Sequence, residues 1–274
     1  MNDRTALLAQ KAHEIRRATL RVHRTAPETR VASSLSSVEI FTTLYYGGRL
    51  RQNPMQPLDD TRDRVIVSKG HGSICLYPIL ADLGFFSPEL LDTVCKQGSI
   101  LGGIPDPCIP GYESVNGSLG HGLGVACGMA LALRLRQHPG RVVVVCGDGE
   151  LNEGSMWEAA MFAAQHRLAH ITLIVDYNRR CMLDFSANVM DLSPLDQRFA
   201  AFGWKTTEVK DGHDVTKIDA ALAEVLADDA PQPKVIIAHT IKGKGVPSLE
   251  SNPLAHVQVL SAAEIDGLLA WDLA

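Results

Sequence analysis

Residues 141–180 read RVVVVCGDGELNEGSMWEAAMFAAQHRLAHITLIVDYNRR. An apolar run (142–146) ends in Gly147-Asp148-Gly149, an acidic helix-prone segment follows, and a second apolar run (171–175) stops at Asp176-Tyr177-Asn178. Strand, turn, helix, strand and turn make a βαβ unit, which predicts a parallel sheet. Both turns that follow the strands then leave at the same sheet edge, where α/β domains bind ligands. Asp148 and Asn178 are expected to meet there. A carboxylate and an amide oxygen are hard donors that suit Mg²⁺ or Ca²⁺. The glycines beside Asp148 let the backbone approach a phosphate closely.

Outward from this unit, further strands are expected at 64–67, 203–209 and 234–238. Helices are expected at 4–24, from about 38 to Gly47-Gly48, at 74–83, 88–95, 123–135 and 215–227, one after about 193, and one at 262–269. Leu7, Leu8, Ile15 and Leu20 mark the apolar stripe of the first helix. Ser36 or Ser37 is placed to cap the helix near Val38, and Glu39 to meet its dipole. Residues 98–122 are rich in Gly and Pro, and an irregular stretch of that length is usually functional. With no repeat, low-complexity tract or linker, the expectation is one doubly wound α/β domain over residues 1–274, with a mostly parallel sheet and helices on both faces.

The 274 residues suffice for a full core, and 46% hydrophobic with 21% charged content is ordinary for a soluble enzyme. A net charge of -5 argues against nucleic acid as a partner. The six cysteines (75, 95, 108, 127, 146 and 181) contain no C-x-x-C pair, so neither a zinc site nor a disulfide framework is expected, and the cytoplasm is the expected compartment. The charged N-terminal segment does not read as a signal peptide, and no apolar run approaches the ~20 residues that span a bilayer.

Seven segments in order carry a family resemblance: SSLSSVEIF (33–41), SKGHG (68–72), GSLGHGLGVACGMAL (117–131), GDGELNEGSMWEAAMFAA (147–164), DYN (176–178), DGHD (211–214) and HTIKGKGVPSLESNPLAH (239–256). In them the chain resembles the thiamine diphosphate enzymes, and more closely the N-terminal half of transketolase as found in two-subunit transketolases. The resemblance implies the thiamine diphosphate-binding fold and a two-carbon (ketol or acyl) transfer from a ketose or 2-oxo acid donor to an aldehyde-type acceptor. It implies thiamine diphosphate with Mg²⁺ (or Ca²⁺) held by Asp148, the Asn178 side chain and the backbone carbonyl of Arg180. Cofactor contacts are implied for His71, Gly117, Ser118, Leu119, Gly147, Asp148, Gly149, Glu150, Asn178, Lys242 and His256, with Gly149 giving its N–H to the diphosphate. Catalytic roles are implied for His71 and His256, near the thiazolium and the diphosphate, and for Glu153 and Glu158, on a proton path near the subunit interface. From the residues alone, Glu153 and Glu158 serve equally as first-turn acids, and Lys242 and Lys244 as solvated charges. Trp157 and Met161 read as core or subunit contact.

In the family, the glutamate that activates the aminopyrimidine belongs to a second domain, which this sequence does not contain. A separate pyrimidine-binding subunit is therefore implied, in an α2β2 heterotetramer, with no activity expected from this chain alone. Two positions depart from the sugar transketolases. Arg30 stands where a histidine precedes the serine-rich turn, and Ile104, in Gly102-Gly103-Ile104-Pro105, stands where another histidine meets the donor. Isoleucine cannot hydrogen-bond a donor hydroxyl, a loss that can cost ~10⁴ in discrimination. Arg30 can pair with a carboxylate or phosphate. A non-standard substrate is expected, touching Arg30 and Ile104. The alternatives are the alpha subunit of a 2-oxo-acid dehydrogenase or decarboxylase, and a non-catalytic binding subunit.

Overall fold

The computed structural model describes residues 3–271; the outermost residues of the expected domain lie outside these. Five strands form one sheet: β1 (Arg64–Val67), β2 (Val142–Gly147), β3 (Ile171–Tyr177), β4 (Lys205–Val209) and β5 (Lys234–His239). Their order is β1-β2-β3-β5-β4 and every pairing is parallel, so the sheet is parallel throughout. Parallel strands need crossovers, and the crossing helices bury both sheet faces. The inner strands are accordingly nearly continuous apolar runs, with Val142 through Cys146 all buried, while the edge strand β4 is polar and buries only Val209.

The period of two divides each strand between two cores. Val143 and Val145 of β2, Val65 and Val67 of β1, and Ile174 of β3 pack on one face with Leu8 and Ile15 from helix Asp3–Thr25 and Ile40, Phe41 and Leu44 from helix Val38–Tyr46. Val142, Val144 and Cys146, with Ile66, Leu173 and Val175, face the opposite core, built on helices Gly122–Leu135 and Gly154–Gln165. A smaller core, with Leu20, Val31, Leu35, Val246 and Leu249, ties the N-terminal helix to the C-terminal segment. Among the described residues, no helix is long and apolar enough to cross a membrane.

Several expectations are corrected in detail. Leu7 is 48% exposed, and Ala12 takes its place in the buried stripe. The helix expected at 74–83 opens as a 3₁₀ turn, Gly70–Cys75, before the α-helix Leu76–Asp82, and Pro88–Thr93 is wholly 3₁₀. Neither Ser36 nor Ser37 caps the helix at Val38; the Ser36 hydroxyl is bonded elsewhere. The fourth strand begins at Lys205, because Gly203, at φ +87°, is still closing the preceding helix. Short helices Val31–Leu35, Ser186–Val189 and Pro247–Glu250 lie in stretches that carry no helical period.

Candidate active site

Four strands deliver their turns to one edge of the sheet. β1 runs into Ser68-Lys69-Gly70-His71, β2 into Asp148-Gly149, β3 into Asn178 and β5 into Thr240-Ile241-Lys242. Because β2, β3 and β5 are neighbours, Asp148, Asn178 and Lys242 share the wall of one cavity of about 410 Å³ with His71, Arg180 and His256. The expected meeting of Asp148 and Asn178 is what the topology produces.

Asp176 is the polar hub beside this cavity. It is 0% exposed, and Lys69, itself 2% exposed, places its ammonium against Oδ2. Ser36 Oγ donates to the same oxygen at 2.6 Å and Asn178 Nδ2 at 3.2 Å, while Thr240 Oγ1 donates to Oδ1. Burial alone would raise this carboxyl's pKa; the Lys69 charge and the hydrogen bonds outweigh it and hold Asp176 at about 2. With its Nδ2 committed to Asp176, Asn178 turns Oδ1 toward the Arg180 N–H, 3.2 Å away. Asp148, also buried, accepts from Ser186 Oγ at 3.0 Å, and desolvation lifts its pKa to about 6 against the pull of Lys242.

The Arg180 guanidinium points elsewhere. Its Nη1 donates to the carbonyls of Leu249 (2.9 Å) and Asn252 (2.7 Å), and it lies over the Phe185 ring at 4.7 Å. The backbone carbonyl stays at the turn: a Cβ added to Gly149 would lie 3.9 Å from Arg180 O. Asp148, Asn178 Oδ1 and this carbonyl are an all-oxygen donor set that suits Mg²⁺ or Ca²⁺. Among the described residues, no three His, Cys, Asp or Glu side chains gather as a metal cluster.

Asp148 and Asp176 attract Lys242 through space, but neither pairs with it directly. Lys242 is 4% exposed, and among the described residues its ammonium has no hydrogen-bond or ion-pair partner. Burial and the Lys69 charge lower its pKa to about 8. His256 Nδ1 and Ser33 Oγ are also buried on this wall without partners. The His71 and His256 rings lie 4.8 Å apart, tilted by 51°. Burial, with neighbouring positive charge, drops His71 to about 2 and His256 to about 3, so both rings are neutral near pH 7. A buried ammonium left unpaired is costly, and with two orphaned polar atoms beside it the wall fits an anionic group such as a diphosphate.

The other expected residues divide between the cavity wall, its margin and positions away from it. Gly117, Leu119, Gly147, Gly149 and Glu150 line the cavity. The Glu150 carboxylate is turned into the protein, accepting from Ser68 Oγ, Gly120 N–H (2.9 Å) and Gly147 N–H (3.4 Å), and burial raises its pKa. Ser118, Glu153 and Glu158 are exposed and off the wall. Glu158 borders a separate open groove with Gly124, Gly128 and Phe162. Ile104, 39% exposed, sets its Cγ2 3.4 Å from where a Gly70 Cβ would be and 3.7 Å from a Gly117 Cβ, at the cavity's margin. Arg30 is near enough for its charge to lower the pKa of both histidines. Trp157 is core, its ring against Phe199 and Phe202 and its N–H on Leu151 O, while Met161 is exposed.

The segment carrying Arg30 is stapled by His23, which is fully enclosed. Its Nδ1 meets Thr29 Oγ1 and its Nε2 meets Ser34 Oγ at 3.0 Å, and burial lowers its pKa to about 3. The unfolded chain takes up this proton near pH 6.5, whereas the folded chain refuses it until about 3, so stability falls as pH falls through that window. Between pH 7 and 5, wild type loses about 2 kcal/mol relative to His23→Gln, whose amide can bond both hydroxyls without titrating. Urea unfolding at the two pH values measures this; parallel losses in both proteins exclude the assignment.

Sheet, crossovers and cavity define a parallel α/β domain whose strand-end edge fits an anionic ligand. The model for the transketolase thiamine diphosphate binding domain matches residues 12–271, and the chain belongs to that family. It is 36% identical over 260 residues to the 6-deoxy-6-sulfo-D-fructose transketolase subunit SqwG of Clostridium sp. (strain MSTE9), covering 93% of this chain and 92% of that protein. It is also 36% identical to an apulose-4-phosphate transketolase subunit of Actinobacillus succinogenes, covering 94% and 93% of the two chains. The crystal structure of Campylobacter jejuni transketolase superposes with a TM-score of 0.90 at 28% identity, over all of this chain and 44% of that one. The chain thus spans less than half the length of that solved transketolase.

Proposed function

We propose that this chain is the diphosphate-binding subunit of a split, thiamine diphosphate- and Mg²⁺-dependent transketolase-like enzyme. The observation that carries the reading is the unpaired Lys242 ammonium beside the Asp148–Asn178–Arg180 oxygen set. Asp148, Asn178 and the Arg180 carbonyl would hold the cation, and Lys242, His256 and the Gly149 N–H the diphosphate. When bound, thiamine diphosphate supplies carbanion stabilisation at the carbon being transferred. His71 and His256, kept neutral by burial, can each donate one hydrogen bond and accept another beside that chemistry. Glu153 and Glu158, exposed and free of the cavity, suit a surface that meets a partner subunit. The relatives named as subunits support a partner chain, which in this reading binds the pyrimidine in an α2β2 assembly.

The named substrates of those relatives, a sulfo sugar and a sugar phosphate, each carry an anion. Arg30 supports the same for this chain's substrate, a carboxylate, sulfonate or phosphate, on a ketose or 2-oxo acid donor. Reconstitution with the pyrimidine-binding partner, thiamine diphosphate and Mg²⁺ tests the assignment. Two-carbon transfer is expected from the pair and from neither chain alone; failure of the pair to bind thiamine diphosphate would overturn it. Ile104→His tests the margin of the cavity. It is expected to shift kcat/KM toward ketoses hydroxylated at C1 by about tenfold or more, and an unchanged donor profile removes Ile104 from the donor site.

A further inference from the structure

The loop from Thr240 to Gly245 must hold the Lys242 ammonium still against two forces. Burial disfavours its charge and Lys69 repels it, together outweighing the attraction of Asp148 and Asp176, so in a loose loop Lys242 would swing out to water. Gly243 and Gly245, at φ +76° and +88°, give the loop a shape that neither helix nor strand imposes. Two side chains grip it on either side of Lys242. His213 Nε2 accepts from the Ile241 N–H at 2.7 Å, and Arg16 Nη1 donates to the Lys244 carbonyl at 2.6 Å.

The two grips share one base. Glu39 Oε1 pairs with Arg16 Nη2, and Oε2 lies 2.8 Å from His213 Nδ1. Because Nε2 accepts from a backbone N–H, the ring proton must sit on Nδ1, the atom that faces Glu39, and one tautomer satisfies both bonds. Arg16 and Glu39 are both buried, and none of the three residues lines the cavity. Their sequence positions lie on three separate elements: Arg16 in helix Asp3–Thr25, Glu39 in helix Val38–Tyr46 and His213 in the turn before helix Val215–Ala227.

We propose that Arg16, Glu39 and His213 are positioning residues that clamp the loop and fix the Lys242 ammonium in the cavity for the anion it binds. The inference rests on the reading of Lys242 as an anion ligand. Glu39 is central, since its one carboxylate anchors the grips on both sides of the lysine. A buried ion pair that served stability alone would not care which atoms of His213 were donor and acceptor; the clamp does.

The test is calorimetric titration of the full chain with inorganic pyrophosphate and Mg²⁺, at a temperature where each variant is folded. The reconstituted pair is titrated in parallel with thiamine diphosphate. His213→Ala is expected to weaken pyrophosphate binding about three- to tenfold, the scale of one lost backbone hydrogen bond. The apparent cofactor constant rises equally, with kcat at saturating cofactor retained. His213→Gln restores most of the affinity, because its amide donates to Glu39 and accepts from Ile241 at once. Glu39→Gln behaves like His213→Ala, since one end of its amide is a donor facing a donor. Lys242→Ala is the reference. If it binds pyrophosphate as wild type does, the anion reading fails. If it binds weakly while His213→Ala and Glu39→Gln bind normally, the clamp is refuted. The clamp is refuted equally if His213→Gln binds no better than His213→Ala.

Discussion

Asp148→Ala is expected to lower Mg²⁺-dependent thiamine diphosphate binding by at least about 100-fold, since even the partners behind metal ligands are worth 10–100-fold. Of the oxygens at this turn, Asn178 Oδ1 and the Arg180 carbonyl are neutral, so Asp148 carries the formal charge that a divalent cation requires. Burial also raises the carboxyl's pKa to about 6, so its surroundings resist ionisation, and a bound cation would relieve that resistance. Asp148→Asn keeps an oxygen but removes the charge, and should bind cofactor nearly as poorly. Calorimetry of each variant with thiamine diphosphate, with and without Mg²⁺, separates the metal-dependent part. Normal Mg²⁺-dependent affinity in Asp148→Ala would remove this residue from the metal site.

Lys69→Met is expected to cost about 3–5 kcal/mol of folding stability, because it strands a fully buried carboxylate. Ser36, Thr240 and Asn178 still donate to Asp176, but neutral donors do not replace an adjacent ammonium. The pair should therefore behave as a unit. Lys69→Met/Asp176→Asn is expected to recover much of the loss, since no unpaired charge remains. Urea unfolding of the two variants and wild type gives the three free energies. A single variant within about 1 kcal/mol of wild type would mean that Asp176 finds compensation the structure does not display.

Most of the sheet is legible in the sequence because β1, β2, β3 and β5 are buried on both faces. Apolar runs locate these four, whereas β4, the polar and part-exposed Lys205–Val209, is legible only from its place between Gly203 and the Asp211-Gly212 turn. The βαβ rule alone predicts that Asp148 and Asn178 share an edge. The short helical turns are not legible, since segments such as Pro88–Thr93 are held by tertiary contact rather than by a repeating apolar pattern. The polar interior is the harder part. Glu39 stands in the first turn of a helix, which suggests dipole compensation; only the fold brings Arg16 and His213 to it. Lys69 and Asp176 both sit inside the motifs SKGHG and DYN, yet nothing in either motif says that they pair. Ser36 stands where a helix cap, a local bond, is expected, and instead bonds Asp176 from far along the chain. Ser33 Oγ gives no signal at all: an orphaned hydroxyl on a cavity wall is a fact of three dimensions. Ser118, Glu153 and Glu158 show the converse, since membership of a motif does not bring membership of the pocket.

The lone ammonium of Lys242 also bears on how the chain fares before any ligand arrives. On the proposed reading of Lys242 as an anion ligand, the lysine trades stability of the unliganded fold for binding, where methionine or leucine would serve ruggedness alone. An anion that binds only the native state shifts the folding equilibrium toward it. The loaded protein is then the durable one, and the empty protein opens more often to proteases and chaperones. Cellular lifetime of this chain should follow cofactor supply, an arrangement in which a single buried charge lets the turnover of a protein report whether it has anything to work with.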